Sequence, residues 1–257
     1  MKKFFYTLLF INYTLAMAQQ LPKEAYELYP TLQDMSGFAV GKWQDKLLIF
    51  GGSIKSDVPD IYKKDFPNLE VILVDLGKKR ASAFNSGSLG GMLGEQMAAT
   101  GLAYYQKDNK LYLAGGYGYS EDARQFITFP YFTVIDLEAT IPALLAGKSP
   151  VAYFYQICEE RLAIFNGTLD FNGNEFFLVN GKYAYKLQPF EEQPYYHEEN
   201  RQGEGVTFRV SGAENGLKIQ DFKNWYDLQS LLDYYATNTP PAIQEEAAKT
   251  IRKKTNQ

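Results

Sequence analysis

Apolar and polar positions along this chain fall into short alternating blocks. Gly37 to Gly52 reads GFAVGKWQDKLLIFGG and Gly101 to Gly116 reads GLAYYQKDNKLYLAGG, two sixteen-residue stretches that align without a gap at an offset of 64 (37 to 101). Gly167 to Gly181, GTLDFNGNEFFLVNG, is a third copy, one residue shorter, with Asn180-Gly181 in place of Gly-Gly. Each copy holds a short apolar segment, a polar turn (Lys42 to Asp45, Gln106 to Asn109, Asn172 to Asn174) and a second apolar run, LLIF, LYLA or FFLV. Two such segments around a tight polar turn predict a β-hairpin. The unbroken apolar run in the second strand predicts burial on both faces. The closing Gly51-Gly52, Gly115-Gly116 and Gly181 mark places where the chain turns with positive φ or passes close to another backbone.

After each of the first two hairpins comes a polar, aromatic-rich loop and then a third strand. These strands run from Val71 to Leu76 and from Tyr131 to Leu137, and each carries an aspartate, Asp75 or Asp136. A fourth strand is expected at Ala81 to Phe84 and at Val151 to Ile157, so the predicted unit is four antiparallel strands. Gly205 to Val210 and Leu217 to Phe222 read as a fourth pair of strands. Beyond Tyr226 the pattern changes: Leu228, Leu231, Leu232 and Tyr235 share one helix face, and residues 227–257 read as a helical or disordered tail.

A four-stranded unit repeated along a chain is the mark of a β-propeller. The order hairpin, Gly-Gly, long loop, then a strand ending in hydrophobic-Asp resembles Kelch repeats. It is carried by Lys46 to Gly52 with Val74-Asp75, and by Lys110 to Gly116 with Ile135-Asp136. The resemblance covers about Gly37 to Tyr185 and implies an all-β, Kelch-like β-propeller of four-stranded antiparallel blades over residues 19–226, with a short C-terminal helical segment. Two departures stand out. The units exceed the usual repeat of about 50 residues, and the Trp expected after the hydrophobic-Asp strand is replaced by Gly77 to Arg80 and Glu138 to Thr140. At about 64 residues per unit, the 239 residues after residue 18 (257 − 18) hold fewer than the four to eight blades of a closed ring. A partial or truncated propeller is therefore expected.

Composition narrows the chemistry. The 257 residues include one Cys and one His, so a cysteine-rich zinc site, a disulfide and most triads are excluded. Lys+Arg 26 against Asp+Glu 30 gives net charge -4, with no basic excess for nucleic acid. The start of the chain has the three parts of a secretory signal: Lys2-Lys3, an apolar run from Phe4 to Leu15, and Ala16-Met17-Ala18. Residues 1–18 are thus expected to be removed on export to a periplasm, cell surface or medium. No later stretch is long and apolar enough to span a membrane.

Cys158 sits among Tyr153 to Ile157 and reads as a buried, inert thiol whose pKa Glu159 and Glu160 would raise. The cluster Gly87 to Gly94 lacks a Gly-Lys-Ser/Thr ending and reads as a flexible connection. Asn166-Gly167-Thr168 matches a glycosylation sequon, but Gly167 holds a repeat position.

No catalytic constellation emerges. Asp170, Glu175, Glu198 and Glu199 are the carboxylates nearest the third unit, and nothing in their spacing selects a pair. Exposed aromatics on loops carry the better signal: Tyr62 in the first unit, Tyr117, Tyr119 and Phe126 in the second, and Tyr195-Tyr196-His197 in a loop from Gln188 to Gly203. The expected function is non-enzymatic binding or scaffolding through these loops, with a protein or glycan of the cell envelope as partner and no cofactor or metal. A sugar mutarotase-like or epimerase-like enzyme, or a glycoside hydrolase, on the same scaffold is the alternative.

Overall fold

The computed structural model describes residues 21–55, 66–187, 195–201, 204–212, 214 and 216–238. The signal segment, Tyr62 and the tail from residue 239 lie outside the described residues. The first sheet is built from β1 (Met35–Trp43), β2 (Lys46–Ile54), β4 (Glu70–Asp75) and β5 (Arg80–Asn85), with the short β3 (Phe66–Pro67) added to β2. The second takes β6 (Ala103–Lys107), β7 (Lys110–Ala114), β10 (Tyr131–Asp136) and β11 (Phe154–Cys158). The third takes β12 (Thr168–Phe171), β13 (Phe176–Val179), β16 (Gly205–Ser211) and β17 (Lys218–Trp225). All three have antiparallel neighbours in the same order, so the protein is mostly β with repeated four-stranded sheets. The segments expected to begin a fourth unit, Gly205 to Val210 and Leu217 to Phe222, complete the third sheet, because β13 pairs with β16 and β16 with β17.

The second and third units each carry a further hairpin. Between β7 and β10 lies the hairpin β8 (Tyr117–Ser120) and β9 (Gln125–Thr128). Between β13 and β16 lies the hairpin β14 (Lys182–Leu187) and β15 (Tyr195–Asn200). The two hairpins join through β9 and β14, where Tyr185 faces Ile127, to give a fourth sheet of order β15-β14-β9-β8. The stretch expected to be a loop around His197 is therefore a strand. It forms because an aromatic, alternating sequence finds a partner strand in its own unit. Thr128 strengthens the join: its hydroxyl donates to Ala184 O at 3.0 Å and accepts from Ala184 N–H at 2.8 Å, and both residues are buried.

The glycine pairs behave alike. Gly51 and Gly52 have φ of 63° and 91°, Gly115 and Gly116 have 66° and 96°, and Asn180 and Gly181 have 57° and 90°. Asn tolerates the left-handed region better than most residues, which explains its place in the third copy. Gly52 N–H donates to Ala99 O at 2.9 Å and Gly116 N–H donates to Ile164 O at 2.8 Å, so each pair is met by the segment entering the next unit. A Cβ on Gly51 would lie 2.0 Å from Ala99 O, and one on Gly115 would lie 1.8 Å from Ile164 O. At these two positions the backbone approach itself demands glycine.

The start of each copy is tied in the same way. Gly101 N–H donates to Gly37 O and Asn166 N–H donates to Gly101 O. Gly37, Gly101 and Asn166 all have positive φ. The third copy therefore begins at Asn166, not Gly167, and has the full sixteen residues; the acceptor of the sequon is itself the repeat position. Asp75 and Asp136 also share one role, with Oδ1 accepting from the N–H three residues on, Lys78 at 3.0 Å and Ala139 at 3.1 Å. Asp75 thereby closes a turn, whereas Asp136 caps the helix Leu137–Leu145.

Packing joins the sheets in chain order. Leu48, Phe50, Val71 and Leu73 of the first meet Leu111, Leu113, Ile135 and Phe154 of the second. Ala114, Phe132 and Val134 of the second meet Leu169, Phe176, Leu178 and Phe208 of the third, with Phe132 and Phe208 edge to face at 5.4 Å. The other face of the first sheet, Val40, Leu47, Ile49, Ile72 and Val74, is covered by Leu21, Ala25, Leu32 and Met35. Ala25 lies in helix α1 (Lys23–Leu28), so the segment ahead of the first hairpin is a helical cover for an apolar face. The helix Gly91–Met97, α2, links the first and second units where a flexible glycine-rich connection was expected. Leu137–Leu145 is α3 and Leu228–Asn238 is α4. Leu231 of α4 is buried and Tyr234 packs on Phe177 and Trp225 at 6.4 and 4.8 Å, so α4 covers the outward face of the third sheet.

Candidate functional site

At the glycine pairs that close the first two hairpins, one feature recurs in side-chain form. In the first unit the Asn68 amide nitrogen donates to Gly51 O at 2.9 Å and Glu70 O at 2.8 Å. In the second the Gln96 amide nitrogen donates to the equivalent Gly115 O at 3.1 Å and Tyr131 O at 2.9 Å. The Gln96 oxygen accepts from Thr133 at 2.6 Å and from Gln156 at 2.9 Å, so this buried amide is satisfied at both ends by four partners. It pins α2 into the angle beside the second sheet.

Among the described residues, the matching angle of the third sheet is open. It forms a groove of about 670 Å³, a size that suits a ligand or a short peptide segment. Its lining comes from four stretches of chain. Glu160, Arg161 and Ile164 belong to the short link between the second and third units. Leu178 in β13 and Asn180 just after it, Glu199 and Asn200 at the end of β15 with Arg201, and Glu204 with Gly205 and Val206 at the start of β16 add to it, and Asn224 to Tyr226 close the far side. Asn180 and Glu204 are the counterparts of Gly115 and Tyr131, since Asn180 N–H donates to Glu204 O as Gly115 N–H donates to Tyr131 O. Val206 pairs with Asn224 as Thr133 pairs with Gln156.

Electrostatics leave the groove acid-leaning. Glu160, Glu199 and Glu204 face Arg161 and Arg201, but Arg161 is held in a two-pronged contact by Glu159 at 2.7 and 2.8 Å and lies over the Phe222 ring at 3.6 Å. That contact holds the Glu159 carboxyl below its ordinary range. At the mouth Tyr226 is 80% exposed, and beside it Trp225 donates from Nε1 to Thr207 at 3.2 Å.

The loop aromatics divide. Tyr119 and Phe126 form an exposed cross-strand pair, rings 5.5 Å apart and each 42% exposed, and Phe126 stacks on Tyr117 at 5.9 Å. Tyr117 in turn packs on the buried Phe165 at 5.2 Å, so the cluster is anchored at its base. Tyr195, Tyr196 and His197 lie on β15, with His197 opposite Tyr185 in register. Their side chains fall outside the described residues. Phe129 and Phe132, from the same loop region, are fully buried core.

Cys158 is exposed at the end of β11, contrary to the expected burial. Partial desolvation, then Glu160 and Glu159, push its thiol pKa up, which disfavours the nucleophilic thiolate. Asp170 and Glu175 sit at the turn end of β12 and β13, whereas Glu199 and Glu204 sit at the groove end. Five residues of strand, about 16 Å, separate Glu175 from Asn180, too far for the paired carboxylates of glycoside hydrolysis. Glu175 is only 2% exposed and accepts from the Tyr234 hydroxyl at 2.7 Å, a role in holding α4.

Among the described residues no cluster of His, Cys, Asp and Glu is placed to hold a metal ion, and no helix is long and apolar enough to cross a membrane. Of the groove residues only Glu199 was singled out in the sequence as a candidate, because the others look like ordinary strand or linker positions. The one signal was Asn180 standing where two other copies have glycine. No protein-family model and no curated protein matches the chain. Among solved structures it is weakly similar to the protein described as "Structure of YjhT", with 11% identity over 74% of this chain and 68% of that one and a TM-score of 0.38.

Proposed function

We propose that this is an exported, non-enzymatic recognition protein built on Kelch-like, propeller-type repeats, and that it binds a segment of a partner protein in the groove beside the third sheet. The supporting observation is the contrast between units: the angle beside the second sheet is filled by polypeptide through Gln96, and the corresponding angle of the third is a 670 Å³ groove with Tyr226 80% exposed at its mouth. Polypeptide is what this angle accommodates elsewhere in the same chain. A glycan is the second reading, favoured by the exposed Tyr226 ring beside the carboxylate and amide groups of the groove.

The chain has two tryptophans, Trp43 and Trp225, so Trp43→Phe leaves Trp225 as a reporter in the groove wall. Peptides selected from a displayed random library should shift its emission on the Trp43→Phe protein, and Tyr226→Ala should weaken them about tenfold, the loss of one exposed aromatic anchor. A panel of neutral oligosaccharides should leave it unchanged. Emission shifted by a sugar, with no selected peptide sensitive to Tyr226, would replace the protein reading by the glycan one.

A further inference from the structure

We infer that the groove receives a short amphipathic helix with an amide-bearing side chain on its inner face, in the way α2 occupies the second unit. This rests on the protein-recognition reading above and names the form of the partner. Three observations carry it.

The first is the correspondence of lining positions. Around Gln96 stand Gly115, Tyr131, Thr133 and Gln156, and their counterparts by strand register, Asn180, Glu204, Val206 and Asn224, all line the groove. The cavity therefore has the outline of a helix-filled angle, with an amide of Asn224 where Gln156 meets Gln96.

The second is chain length. The connection from β5 to β6 spans residues 86–102 and includes α2, whereas that from β11 to β12 spans 159–167 and holds only the single 3-10 turn Glu160–Leu162. The shorter link reaches the next sheet without laying a helix in the angle. The third is charge: with Arg161 engaged by Glu159, the carboxylates of Glu160 and Glu204 favour a basic residue flanking the amide. Helices docked this way present anchors three and four residues apart, and the 670 Å³ volume fits about two turns.

The test uses the full chain carrying Trp43→Phe and a helix-stapled peptide of residues 90–100 of this same sequence with Glu95→Lys, so that a basic residue flanks the glutamine, stapled because an eleven-residue helix is marginal in water. We expect saturable binding below about 1 mM Kd, weakened about fivefold when the peptide glutamine becomes leucine, the worth of one hydrogen bond. Val206→Thr in the protein restores the hydroxyl that Thr133 supplies to Gln96 and should tighten the peptide by about the same factor. Thermal unfolding of Val206→Thr shows that the variant is folded. No binding by the wild-type or Val206→Thr protein at millimolar peptide, or equal binding of the leucine peptide, overturns the helix inference. If library peptides still bind through Tyr226 in that case, protein recognition stands and only the helical form fails.

Discussion

Glycine at position 115 does two jobs that a single substitution separates. Its φ of 66° costs any L side chain about 1 kcal/mol, and its Cβ would also strike Ile164 O at 1.8 Å. Gly147 has nearly the same φ, 65°, with nothing within 4 Å. Gly147→Ala should therefore cost about 1 kcal/mol in urea unfolding and Gly115→Ala more than about 3 kcal/mol, the excess measuring the close approach of the next unit. Equal losses would mean that strain alone explains the conserved pair within this chain. The same residue-level reading shows why the repeat was legible at Gly51-Gly52 and Gly115-Gly116 and blurred in the third copy. Asn166 and Asn180 occupy left-handed positions that glycine fills elsewhere, and a search for matching glycines slides by one to Gly167. The hydrophobic-Asp motif was readable as a landmark, but its work, accepting a backbone N–H three residues on, is a matter of geometry that letters do not show.

At the scale of elements, the hairpins and third strands of the first two units follow from period and turn signals, whereas the fourth sheet does not. Its two hairpins come from insertions 65 residues apart (117 to 182), and their pairing depends on where the parent sheets hold them. That insertion also hid the third sheet, since β14 and β15 separate β13 from β16 and made the last two strands look like a new unit. The groove follows from the same cause: its walls converge only once β16 has returned to β13. Thr128 is the point at which the fourth sheet is most sensitive. Thr128→Val keeps the shape and removes both hydroxyl bonds to Ala184, leaving a buried N–H and C=O without those partners. A loss of about 2 kcal/mol, with faster hydrogen exchange at the Ala184 amide and little change at Leu113 in the second sheet, is expected. Uniform acceleration across both sheets would show that the inserted sheet unfolds only with the whole.

For the whole molecule, stacking in chain order means that each sheet depends on its neighbours, and the seam between the first and second sheets carries a titratable group. Tyr104 on β6 packs against both clusters that flank the first sheet, and burial pushes its pKa up to about 12. The unfolded chain ionises near pH 10, so between pH 10 and 12 the unfolded state loses a proton that the folded state keeps. Stability from this residue is thus fully present below pH 10 and disappears as pH climbs toward 12, by up to about 3 kcal/mol over two pH units at about 1.36 kcal/mol each. Tyr29 is also raised to about 12, by burial first and then by its hydrogen bond to Glu70, and it packs against the cluster that covers the first sheet. Together they place the alkaline weak point at the first sheet and its seam with the second, away from the groove beside the third. Melting temperatures should therefore fall between pH 10 and 12 in the wild-type protein, and those of Tyr104→Phe, which keeps the ring and removes the titration, should fall less. In a stack whose neighbours share cores, the first sheet should open before the third, so Trp225 emission should lag the loss of protection at Leu48 and Ile72. Coincident loss at both ends would make the three sheets one cooperative body, and would place the control of groove stability in the entire stack instead of in the third sheet and its covering helix.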